Sequence, residues 1–177
     1  MDIDMNSIRD NMNKYRENNR GIERMVKSLV KECCSDLDDM INRVNDAISD
    51  YQNPITDTEL DFFILNLPVC VYYAYEQQEL LGLSEDLAKQ EKNTIYNNAY
   101  NLATGTIVDK KQYAENAVKN QQVLVSIYNR AGKQIRNKLD IATELLQSLK
   151  KVSTRRMNER NMEVSSLSRS VGGYNDV

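Results

Sequence analysis

The sequence predicts an all-α protein: a long antiparallel helical hairpin with an additional long N-terminal helix and coiled-coil-like packing. Three observations lead there. Turn formers are scarce, with 6 Gly and 2 Pro in 177 residues, too few for a sandwich, a barrel or a Rossmann-like sheet. Apolar residues recur at steps of three and four over most of the chain. Between Pro68 and Glu163 only Ala103 to Asp109 breaks that pattern.

The first helix is expected over residues 5–50. Ile8, Met12, Tyr15, Asn19, Ile22, Val26, Leu29 and Cys33 alternate steps of four and three, as in a coiled-coil seam. Leu37, Met40, Val44 and Ile48 resume after a further step of four, a stutter-like slip of phase. Asn19 either fixes register on that seam or marks an exposed stretch, and Asn18-Asn19-Arg20-Gly21 is weak helix material. Cys33 reads as core. Tyr51-Gln52-Asn53-Pro54 ends the helix, because the residue before proline avoids helical geometry.

Thr56-Asp57-Thr58-Glu59 reads as a capping box. The helix it opens, 57–67, is apolar nearly all round and is expected to be the most buried element. Pro68 fits the first turn of the next helix. That helix runs to about Leu102, with Val69, Tyr72, Tyr73, Leu80, Leu83, Leu87, Ile95 and Leu102 as its stripe. Gly105 supplies a left-handed stop, and Asp109 is the expected N-cap of the last helix. Tyr113, Ala117, Leu124, Ile127, Ala131, Ile135, Leu139, Ala142, Leu146, Leu149 and Val152 form the stripe there. The resulting division is an N-terminal amphipathic helix over 1–53, a helical core over 54–164 with arms at about 68–102 and 109–163, and a flexible tail over 165–177.

Several functions are disfavoured on composition. The chain has no histidine, so Ser-His and Cys-His pairs, H-E-x-x-H sites and Glu-x-x-His di-iron pairs are absent. No glycine-rich phosphate loop occurs. Asp36, Asp38 and Asp39 lack the glycine and distal glutamate of a calcium loop. Cys33, Cys34 and Cys70 form neither a C-x-x-C pair nor an even set. No enzyme activity, metal or cofactor is expected. The acidic N-terminus shows no secretory signal, and the apolar run from Phe62 to Tyr75 is too short to span a bilayer. A cytoplasmic protein is expected.

Charge is uneven. Residues 32–61 hold nine acids against Arg43, while residues 130–160 hold nine bases against Asp140, Glu144 and Glu159. That asymmetry fits nucleic acid, an acidic partner, head-to-tail pairing with the chain's own acidic segment, or a solvated face. Arg130, Lys133 and Arg136 recur at helical steps, and Lys150, Lys151, Arg155 and Arg156 extend toward the tail. Tyr96, Tyr100 and Tyr113 cluster near the turn with Lys89, Lys92, Lys110 and Lys111. Single strands need such sets, since bases stack on rings while phosphates meet cations. The alternative is that Tyr96 and Tyr113 staple the two arms together.

The layout Lys92-Asn93-Thr94-Ile95-Tyr96, then Thr104-Gly105, then Asp109-Lys110 through Glu115 and Val118, resembles phage recombination mediators of the UvsY type. The resemblance covers roughly residues 70–160. Asn richness fits an AT-rich genome such as many bacteriophages carry. What the resemblance implies is a homo-oligomeric helical protein that binds single-stranded DNA. Such a protein remodels single-strand-binding protein and loads a RecA-like recombinase in the host cytoplasm. Lys92 and Tyr96 are its implied first contacts. Gln90 and Glu91 depart from the more basic motif of that family. The other class of function is a structural or adaptor coiled coil, a virion or scaffold component acting through helix–helix contacts.

Overall fold

In a computed structural model the chain forms four helices: α1 (Met5–Ser49), α2 (Asp57–Leu102), α3 (Ile107–Ala117) and α4 (Lys119–Val171). The structure describes the backbone of residues 5–50 and 52–171, and the side chains of 19–50 and 52–165. No strand occurs among the described residues. No helix there is long and apolar enough to cross a membrane.

Contacts divide the chain into two units. The first takes Met1–Ser35 and Ala74–Lys138, the second Asp36–Tyr73 and Leu139–Val177. In the first unit α2 and α4 run antiparallel: Glu85 faces Asn129 and Lys92 faces Gln122. Its core joins Val26, Val30 and Cys34 of α1 with Ala74, Leu81, Ala88 and Ala99 of α2, Ala114 of α3, and Ile127, Ala131 and Ile135 of α4. In the second unit α1 and α2 are antiparallel, with the Arg43 guanidinium 4.9 Å from the Phe62 ring centre. Leu37, Met40 and Val44 of α1, Leu60, Phe63 and Leu67 of α2, and Leu139, Ala142 and Leu149 of α4 form its core. Each leucine so buried contributes about 1.5–3 kcal/mol relative to solvent exposure.

The phase slip expected in α1 appears as a kink at Cys34, whose φ of −124° and ψ of 15° are not helical. The kink changes which thiol is core. Cys34 is buried and Cys33 only half-buried, the reverse of the expectation that Cys33 is core. Asn19 is exposed, while Ile8, Met12 and Tyr15 lie outside the described side chains. Asp50 closes the turn after α1, accepting from the Gln52 and Asn53 amides at 3.0 and 3.2 Å. Tyr51 lies outside the described residues.

Helix α2 corrects three expectations. It runs through Pro68 without ending. Proline costs about 3 kcal/mol in a helix interior, and burial of Phe63 and Leu67 before it, with Cys70 and Val71 half-buried after it, holds the helix together. Residues 57–67 are not the most buried element, since Leu65 is 71% exposed. The buried seam is also not the stripe of large residues. Leu60, Leu67, Ala74, Leu81 and Ala88 lie inside, at intervals of seven, while Val69, Tyr72, Tyr73, Leu80, Leu83, Leu87 and Leu102 are exposed. Position on the helix, not size, decides burial: from Leu67 to Ala88 leucine and alanine alternate on the side that faces the core, and a Cβ on Gly132 of α4 would stand 4.0 Å from Leu81.

The Thr56–Glu59 capping box forms as the sequence suggests. The Thr56 amide donates to Glu59 at 2.8 Å and the Glu59 amide to the Thr56 hydroxyl at 3.2 Å. The turn before α3 is built alike, with Thr106 as N-cap and Asp109 as the third helical residue, rather than Asp109 as N-cap. Gly105 takes φ +112°, where a Cβ would lie 3.0 Å from the Asp109 carboxylate. The last helix is interrupted at Val118, which turns with φ −98° and ψ 5°. The turn keeps Ala114 and Val118 inside and leaves Tyr113, Ala117 and Leu124 exposed. In the second unit Ile48 and Val152 are likewise exposed. Helix α4 continues to Val171, into the segment expected as tail, and residues 172–177 lie outside the described ones.

Replacing Thr106 by alanine removes one half of its box, and a loss of about 1 kcal/mol is expected in denaturant unfolding. An unchanged midpoint would mean that water caps α3 equally well. The Glu59 and Asp109 carboxyls are held below their ordinary values by the Thr56 and Thr106 hydrogen bonds. A depressed folded-state pKa adds stability above the ordinary carboxylate range and loses it as pH falls through the folded value. Melting temperature is therefore expected to drop on acidification below that range, with a shallower drop in a Glu59→Gln, Asp109→Asn variant.

Candidate nucleic-acid interface

In the first unit, where α2 passes α3 and the start of α4, a cleft of about 590 Å³ opens between Lys92, Tyr96, Glu115, Val118, Lys119 and Val123. Lys92 and Tyr96 sit four apart, so one helical side presents both. The Lys92 ammonium donates to the Gln122 side chain across the helix pair at 3.0 Å. That bond parks the cation at the cleft without cancelling its charge. Tyr96 stacks on Tyr100, with ring centres 6.4 Å apart and planes 16° off parallel. Val118 and Val123 give an apolar floor. A ring, two cations and an apolar floor, with the Glu115 carboxylate beside them, suit a flat ligand whose phosphates lie on the lysine side.

The outer side of α4 adds a second component. Residues 116–139 contain no Asp or Glu, yet carry Lys119, Arg130, Lys133, Arg136 and Lys138. Lys119, Arg130 and Lys133 are separated by eleven and three residues, three turns and then one, so they share a side about 20 Å long. All three are exposed, and none makes an ion pair among the described residues. Lys133 and Arg136 also border a notch of about 180 Å³ beside Gly82 and Gly132. Buried at that notch is the Gln78 carboxamide oxygen, which has no hydrogen-bond partner.

The other sequence-derived candidates separate into spent and available cations. Lys89 bridges Glu85 at 2.9 Å and Asp86 at 3.1 Å. Those bonds raise the Lys89 pKa and, with help from Asn129, lower that of Glu85. Lys110 is half-buried and Lys111 exposed, and neither borders the cleft. Tyr113 is 57% exposed and makes no ring contact among the described residues, so the arm-stapling reading fails for it.

Lys150, Lys151, Arg155 and Arg156 belong to the second unit. Lys150 and Lys151 are exposed there and unpaired among the described residues. Arg155 bonds Glu159 at 2.8 Å. Arg156 reaches Asp57, in the first turn of α2, at 2.9 Å, and Arg160 bonds the same carboxylate. The acidic and basic segments thus meet at this point within one chain. Sequence reasoning overlooked Lys119, although the acid-free run that contains it is visible in the sequence. Among the described residues no three His, Cys, Asp or Glu side chains gather closely enough to hold a metal.

The chain matches no family model, no curated protein and no solved structure.

An unmet buried acceptor costs about 1–3 kcal/mol. Gln78→Met keeps the length and removes the acceptor, so a higher melting temperature is expected in calorimetry. A lower one would show that the carboxamide is satisfied in solution.

Proposed function

We propose that this chain is a non-enzymatic, single-strand nucleic-acid-binding protein of the phage recombination-mediator type, working in the cytoplasm of the cell that makes it. The observation that carries the reading is the convergence of Tyr96, Lys92 and Lys119 on one cleft, which Glu115 also borders, beside a stretch of α4 with cations and no acid of its own. A base would stack on the exposed part of the Tyr96–Tyr100 pair while its phosphates meet Lys92 and Lys119. The strand would then follow Arg130 and Lys133. Stacking on a ring is tolerant of sequence, which suits a protein that coats strands rather than reading them.

Loading of a RecA-like recombinase and remodelling of single-strand-binding protein come from the resemblance of Lys92–Tyr96, Thr104–Gly105 and Asp109–Lys110 to the mediator layout. A second reading, a helix–helix adaptor or scaffold, is favoured by the exposed Leu80, Leu83 and Leu87 of α2. That reading expects self-association without oligonucleotide binding.

Fluorescence anisotropy with a labelled oligothymidylate distinguishes the two. Four phosphate contacts, at Lys92, Lys119, Arg130 and Lys133, give a log–log salt slope of about −3 for a single strand. Tyr96→Ala is expected to weaken binding by about 1–3 kcal/mol for the base it stacks. Lys92→Ala with Lys119→Ala should flatten the slope by about 1.4. Lys89→Ala should change little, because that cation already serves Glu85 and Asp86. Salt-independent binding, or equal affinity in all of these variants, would move the site away from this cleft.

A further inference from the structure

Helix α2 in the first unit has two apolar sides. Ala74, Leu81 and Ala88 are covered, while Leu80, Leu83 and Leu87 are 56%, 62% and 64% exposed. The three leucines are spaced three and four residues apart and so form one ridge about 10 Å long. Glu79 stands four residues before Leu83, and Glu91 four residues after Leu87, so acids border the ridge on both sides. Both are exposed and make no ion pair or hydrogen bond among the described residues. An apolar ridge with a carboxylate rim calls for a partner that is basic and can also cover methyl groups.

Two copies of this ridge do not suit one another. An antiparallel pairing that sets Leu80 against Leu87 also brings Glu79 toward the other copy's Asp86, twice over. A parallel pairing supplies no cation to either rim, since Glu79 and Glu91 of both copies flank the same ridge. Like charges across an interface count against both arrangements. The same unit carries the complement on α4, where Lys119, Arg130 and Lys133 are exposed and the helix itself has no acid between them. Lysine and arginine lay their aliphatic stems along apolar surface while their heads reach for charge. Stems over Leu80, Leu83 and Leu87, with heads at Glu79 and Glu91, would satisfy both components of the α2 ridge. Val123, partly exposed on α4, adds apolar contact.

We infer that copies of this chain associate head to tail, the leucine ridge and acidic rim of α2 in one copy lying against the cationic side of α4 in the next. Such a contact is heterologous, so each copy keeps one unused half of it until a ring closes. Its basic half is the surface assigned above to the strand, and here the inference rests on that assignment. Strand and neighbour compete for Arg130 and Lys133, so nucleic acid takes the assembly apart.

Charge reversal on the full-length chain tests the contact. Glu79→Lys with Glu91→Lys makes both halves basic, and Arg130→Glu with Lys133→Glu makes both acidic. All four positions are exposed, so circular dichroism should stay helical. In sedimentation velocity at low salt without nucleic acid, the wild-type chain should associate and each variant alone should run as a monomer. An equimolar mixture of the two variants should associate again. Association of the Glu79→Lys, Glu91→Lys variant like the wild type, or a mixture that stays monomeric, overturns the contact. A monomeric wild-type chain overturns it too.

Adding oligothymidylate to the wild-type chain should shift it to smaller species. Strand binding with the assembly left intact removes the competition. If no strand binds, the reading of function fails while the charge-reversal result stands by itself.

Discussion

Each helix buries one narrow seam, rich in small residues in the first unit and in large ones such as Leu37, Leu60, Leu67 and Leu139 in the second, and the other features of the molecule follow from that. Ala74, Ala88 and Ala99 of α2, Ala114 of α3, and Ala131 and Ala142 of α4 are all buried. Apolar burial drives the packing. A seam so narrow covers only one side of each helix. Other large apolar residues are left outside, and every surface available for binding is a surface that the seam does not use.

Several acids serve the local architecture. Asp50 ties the turn after α1, Glu59 and Asp109 complete the capping boxes of α2 and α3, and Asp57 holds Arg156 and Arg160. Glu85 and Asp86 occupy Lys89. Carboxylates used in this way no longer offset distant cations. Among the described residues, the exposed cations outside any ion pair include Lys111, Lys119, Arg130, Lys133, Arg136, Lys150 and Lys151, and of these Lys119 borders the cleft. The candidate interface therefore follows from where acids are missing as much as from where bases occur.

Helix identity was legible in the sequence because it depends on local signals. The end of α1 before Pro54, the Thr56–Glu59 box and the stop at Gly105 all follow from residues within four positions of each other. The inner side of α2 was not legible. Hydrophobicity ranks Leu80, Leu83 and Leu87 above Ala74 and Ala88, and only the approach of α4 reverses that order. Continuation through Pro68 and the break at Val118 likewise depend on tertiary burial outweighing propensity. At the candidate site, Lys92 and Tyr96 could be paired by their spacing alone. Lys119 joins them through the turn at Val118, and Arg156 is neutralised by a residue 99 positions away. Neither relation is written in any local pattern.

The kink at Cys34 turns two neighbouring thiols toward different surroundings, and with Cys70 it leaves the chain three free cysteines. Burial, helped by Glu32 at Cys33 and by Asp36 at Cys70, pushes both of those thiols above their ordinary value. Thiolate, the form that peroxides and alkylating agents attack, is then scarcer than for an ordinary thiol at neutral pH. Two of the three sulfhydryls are thereby made slower to oxidise than an ordinary exposed thiol.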